Sequence, residues 1–113
     1  MHELSLASAI VDTVERHAGG QPVRVISLRI GALRQVVADS LLFYLDIVGR
    51  DTVCAGARIE LEAVPARVSC CGTEWEPPPF RCESCGGAGA VVAGDEFMVE
   101  SIEIEEEACI ART

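Results

Sequence analysis

The chain has 113 residues, half of them hydrophobic, which supplies one domain with a modest core and at most a small appended module. Nine Lys and Arg against eighteen Asp and Glu leave a net charge of −9, so phosphate backbones and anionic membrane surfaces are repelled and nucleic acid is a poor partner. The start, MHELSLASAIVDTVERHAGG, has no Lys or Arg before its apolar run, which Asp12 interrupts too early for a secretory signal, and no segment has the length of a membrane span.

A cytoplasmic location follows as the expectation, and in a reducing compartment CxxC spacing points to metal or redox chemistry rather than a disulfide scaffold. Ala7, Ile10, Val11 and Val14 recur at helical spacing opposite Asp12, Glu15 and Arg16, and Gly19-Gly20 stops the helix after Arg16 and His17. VRVISLRIG then alternates Ile26, Leu28 and Ile30 against Ser27 and Arg29, the pattern of a half-buried strand ended by Gly31.

A second helix is expected over ADSLLFYLDIVG, with Asp39 as its N-cap and Leu41, Tyr44, Leu45 and Val48 on one face. In ARIELEAV, Ile59, Leu61 and Ala63 face away from Arg58, Glu60 and Glu62, and Pro65 marks a strand end. Residues 70–90 turn to Cys, Gly and Pro with little periodicity, the composition of a small metal-stapled lobe. The closing strand, FMVESIEIE, sets Met98, Ile102 and Ile104 on one parity and Glu103 and Glu105 on the other. The fold class is therefore α+β, with two helices packed on a small three-stranded mixed sheet and a Cys-rich zinc-binding lobe inserted before the last strand. The expected division is an α/β domain of 1–68 and 91–107, a lobe of 69–90 and a tail of 108–113.

Cys82-Glu-Ser-Cys85-Gly86 has the spacing of a metal knuckle, in which a tight turn brings two sulfurs to one side and Gly takes a positive φ. The other pair, Cys70-Cys71, is adjacent and precedes Gly72. Neighbouring side chains of a regular strand point to opposite faces, so both sulfurs reach one ion only if the chain turns at that bond. Three readings stay open: Cys70, Cys71, Cys82 and Cys85 all bind one Zn²⁺; one of the adjacent pair binds with Cys82, Cys85 and an outside ligand drawn from Cys54, Cys109, His17, a carboxylate or water; or no structural metal is held. A lobe this poor in apolar surface needs metal binding, on the order of 10 kcal/mol, to fold.

The N-terminal Met1-His2-Glu3 reads most simply as a frayed end, but its chelation chemistry is favourable. The α-amine, the His2 amide nitrogen and an imidazole nitrogen form adjoining chelate rings, and Glu3 can fill a fourth position. Such a nitrogen-rich, square-planar set suits Ni(II) or Cu(II). Met1 is expected to be retained before the bulky His2.

The order of these features, MHE and a helix, then VRVISLRIGAL, the turn before ADSLLF, a CxxCG lobe and a closing strand rich in Ile and Glu, resembles the HypA family of hydrogenase nickel-insertion proteins. The resemblance implies a cytoplasmic nickel metallochaperone that works with a HypB-type GTPase and delivers transferable Ni(II) to the [NiFe]-hydrogenase large-subunit precursor. It implies nickel bound through Met1 and His2, assisted by Glu3 and Asp39, and structural Zn(II) on two cysteine pairs. The first pair departs from that pattern by two missing spacer residues.

Homodimerisation stays open. Trp75 and Phe80 flank the prolines and are expected to pack the lobe on itself. His17 has a sufficient role as a cation at a helix end, Cys54 as core or turn filler and Cys109 as part of the tail. Two histidines, no Gly-rich phosphate loop and no nucleophile beside a base speak against catalysis. The competing readings are a zinc-ribbon interaction adaptor without transferable metal and a thiol redox protein cycling Cys82 and Cys85.

Overall fold

The computed structural model describes residues 2–105, and of His2 only the backbone. Met1, Cys109 and the expected tail lie outside the described residues. Helix α1 (His2–Ala18) buries Ala7, Ile10, Val11 and Val14, the stripe its 3.6-residue period aligns. Each fully buried Val or Ile contributes about 1.5–3 kcal/mol, so this stripe rather than helix propensity fixes α1. Gly19 and Gly20 follow with φ of 63° and 83°, a left-handed exit that residues with a Cβ adopt at a cost.

Strand β1 (Val23–Gly31) buries Ile26, Leu28 and Ile30 as its alternation predicts, and Val23 and Val25 as well. It is the middle strand of a sheet in the order β2-β1-β6, and a central strand is covered more fully than an edge. A short 3-10 turn (Ala32–Arg34) leads to helix α2 (Ala38–Val48), which buries Leu41 and Leu45, half-buries Tyr44 and Val48, and packs against α1. Its N-cap is Val37, not Asp39, which lies inside the first turn. The cap comes from elsewhere: the Val37 N–H donates to the Glu3 carboxylate over 3.0 Å. A carboxylate there also complements the positive end of the helix dipole.

Strand β2 (Arg58–Val64) half-buries Ile59 and Leu61, but the parity then slips, leaving Ala63 exposed and Val64 buried. Strand β6 (Phe97–Ile104) does the same: Phe97 and Val99 turn inward at its start, Ile102 and Ile104 at its end, with Glu100 and Ser101 both exposed between them. Met98 is therefore exposed, a departure from the single parity its sequence suggests.

The cysteine segment carries a second sheet that its composition conceals, formed by β3 (Arg67–Cys70), β4 (Thr73–Trp75) and β5 (Ala90–Ala93) in the order β4-β3-β5. The described residues divide into two compact units, one of 2–28, 36–61 and 99–105 and the other of 29–35 and 62–98. In the second unit, Gly31 and Gly94 let two backbones meet. A Cβ on Gly31 would lie 2.0 Å from the Gly94 carbonyl carbon, while the Gly31 N–H donates to the Glu96 carbonyl at 2.8 Å. Arg34 closes the same corner by donating from Nε to the Asp95 carbonyl at 2.8 Å.

Candidate metal centre

The adjacent cysteines fall at a hairpin. Cys70 pairs with Thr73 across β3 and β4, leaving Cys71 and Gly72 as the two turn residues, with φ of 53° and 77°. Positive φ at both central positions is the requirement of a type I′ turn, whose twist matches that of the flanking strands. The turn falls at the bond where one is needed, and it swings the Cys71 sulfur to within 3.7 Å of Cys70.

The other half is built as its spacing predicts. Gly86 has φ 76°, its N–H donates to the Cys82 carbonyl at 2.8 Å, and the Cys82 N–H donates to the Gly87 carbonyl at 2.7 Å. Arg81 ties the loop from outside by donating to the Gly86 carbonyl at 3.0 Å. Trp75 braces the proline segment, its indole N–H donating to the Pro79 carbonyl at 2.6 Å, and Phe80 is exposed rather than packed inward.

The two halves converge. The ligand atoms of Cys70, Cys71, Cys82 and Cys85 all lie within 4.8 Å of one another, and Cys70 stands 3.6 Å from Cys85. A tetrahedral zinc with Zn–S bonds of about 2.3 Å separates its sulfurs by about 3.8 Å, so the four thiols fit that ion with small adjustment. Among the described residues this is the one group of three or more Cys, His, Asp or Glu with metal-binding proximity. His17 and Cys54 do not join it. The His17 Nδ1 contacts the Thr13 carbonyl within α1 at 2.8 Å, and Cys54 is buried, its N–H donating to the Thr52 hydroxyl at 3.0 Å.

The thiols differ electrostatically. The Cys85 backbone N–H aimed at Cys82, aided by that of Ser84, outweighs burial and brings the Cys82 thiol down to about 7. Hydrogen bonding to Cys85 first, then to Cys82 and Cys71, pushes Cys70 up to about 12. Cys71 is also raised: its contact with Cys70 acts downward, but contacts with Cys85 and Cys82 outweigh it.

Within the first unit, the Glu3 carboxylate accepts the Val37 N–H at the start of α2, in whose first turn Asp39 stands. The side chain of His2 and all of Met1 lie outside the described residues.

Residues 1–104 match the model of a protein family described as HypA, hydrogenase/urease nickel incorporation, metallochaperone. The chain belongs to the HypA family. The hydrogenase maturation factor HypA of Geobacter metallireducens is 40% identical over 113 residues, covering 93% of this chain and all of that one. HypA of Streptomyces avermitilis is 38% identical over 123 residues, covering 100% of this chain and 94% of its own. The solution structure of the nickel metallochaperone HypA from Helicobacter pylori superposes with a TM-score of 0.71 at 21% identity, covering 92% of this chain and 97% of that one, which confirms the fold. Family membership assigns the chain to hydrogenase maturation and nickel handling. Among the described residues no helix is long and apolar enough to cross a membrane.

Proposed function

We propose that the chain is a cytoplasmic nickel metallochaperone that takes up Ni(II) at its N-terminus and hands it to the large-subunit precursor of a [NiFe]-hydrogenase, in concert with a HypB-type GTPase. The ligands are the Met1 amine and His2, with Glu3 and Asp39 assisting. Cys70, Cys71, Cys82 and Cys85 hold structural Zn(II), which draws four thiolates together and staples the lobe of 69–90. The nickel end belongs to the part formed by 1–68 and 91–107.

The observation that carries this reading is the hydrogen bond from the Val37 N–H to Glu3, which ties the first residues of a HypA-family chain to the start of α2. Two acidic side chains, Glu3 and Asp39, then belong to neighbouring stretches of backbone, and carboxylates beside an amine and an imidazole make an exchangeable set for a divalent ion. Delivery requires ligand exchange and makes no bond in an organic substrate. The chain is accordingly no enzyme, and energy from GTP enters through the partner.

The test is a chelator-competition titration of Ni(II) on zinc-loaded protein, with His2→Ala as comparison. The variant is expected to lose one equivalent of nickel while retaining its zinc. Equal nickel affinity in both proteins would overturn the reading in favour of a zinc-ribbon adaptor.

A further inference from the structure

The four cysteines are anchored very unequally. Cys82 is buried, and its backbone is clamped at both groups, its N–H to the Gly87 carbonyl and its carbonyl to the Gly86 N–H. The Cys85 sulfur accepts the Gly87 N–H at 3.4 Å. Cys70 is half-buried and closes β3 in register with Thr73. Cys71 has none of these supports. It stands exposed at the tip of a two-residue turn at φ 53°, and among the described residues no backbone N–H reaches its sulfur.

The surroundings of Cys71 are also clear. A Cβ placed on Gly72, the next residue, or on Gly86, which follows Cys85, would meet nothing within 4 Å. A small molecule can therefore approach the Cys71 and Cys85 side of the cluster, whereas Cys82 is sealed behind it. Positive φ at a residue with a Cβ costs about 1–3 kcal/mol, so the turn is strained in the conformation that aims this sulfur at the others.

We infer that Cys71 is the exchangeable ligand of the centre, leaving the bound ion to admit a low-molecular-weight thiol while Cys70, Cys82 and Cys85 keep hold. This rests on the zinc reading above. In the exchange the metal–sulfur bond to Cys71 breaks, a bond to the incoming thiolate forms, and the proton of the incoming thiol passes to Cys71. Nothing is oxidised. A centre with one replaceable arm differs from a structural site whose four protein ligands leave no position for an outside group.

The experiment treats the zinc-loaded chain with limiting N-ethylmaleimide and assigns each adduct by peptide mapping, so that Cys54 and Cys109 are scored apart from the cluster. Cys71 is expected to react at least about tenfold faster than Cys70, Cys82 or Cys85, with zinc still bound after the first of these adducts. In native mass spectrometry, Cys71→Ala is expected to retain one zinc and to take up one glutathione, while Cys82→Ala loses the metal. Cluster cysteines reacting together, Cys70, Cys82 or Cys85 reacting first, or loss of zinc from Cys71→Ala would each overturn the inference. A wild-type chain that binds no zinc would instead overturn the zinc reading beneath it.

Discussion

Cys71 is the residue at which backbone and chemistry conflict most openly. Type I′ turns favour Asn or Gly at both central positions, and here a cysteine occupies the first of them. The environments of the cluster thiols set a definite pH dependence. Cys82, lowered to about 7 from an ordinary 9.0, contributes stability above 9.0 that is lost as pH falls through about 7. Cys70, raised to about 12, contributes stability below 9.0 that is lost as pH rises through about 12, so the metal-free cluster favours folding most near pH 9. At pH 8, Cys82 is already largely a thiolate, whereas Cys70 must give up its proton to bind. Calorimetry of zinc binding in buffers of different ionisation enthalpy is expected to show about one proton fewer released by Cys70→Ser, and little change with Cys82→Ser. Zinc affinity should fall as pH falls in both.

At the scale of elements, α2 starts without a capping side chain of its own and borrows one from the first turn of α1. Glu3 consequently has two duties, one structural and one proposed at the nickel site, and they separate by measurement. Glu3→Ala is expected to lower stability by about 1 kcal/mol, with thermal unfolding followed by far-UV circular dichroism shifting down by about 4 °C without nickel. His2→Ala should leave that transition unmoved. An unchanged transition in Glu3→Ala would mean that the helix end finds its acceptor in water.

For the whole molecule, the two units differ in what holds them. The first buries Ala7, Ile10, Val11, Val14, Ile26, Leu41 and Leu45 among others, a core sufficient for two helices and their sheet. Between residues 62 and 98 the buried residues with hydrophobic side chains are Val64, Ala66, Val68 and Cys82. Metal binding worth on the order of 10 kcal/mol then dominates the stability of that segment. Stripping zinc with a chelator under reducing conditions is expected to abolish amide protection in β3, β4 and β5 while α1 and α2 stay protected, as read by hydrogen exchange. Parallel loss in the helices would show instead that both units unfold as one.

The sequence by itself determined both helices, their buried faces, the central strand and the knuckle at Cys82 and Cys85, because each is written in spacings of two to four residues that local geometry converts directly into a face or a turn. The adjacent cysteines stayed open at that level. Their turn exists because β3 pairs with β4 on one side and with β5 on the other, and those pairings depend on residues up to Ala93. Only the tertiary structure decided that Glu3 rather than Asp39 caps α2, since its carboxylate and the Val37 N–H are 34 positions apart and no local pattern links them. The slipped parities of β2 and β6 have the same origin. Alternation fixes which residues share a face, but what covers that face at each point along a strand is set by neighbours remote in the chain.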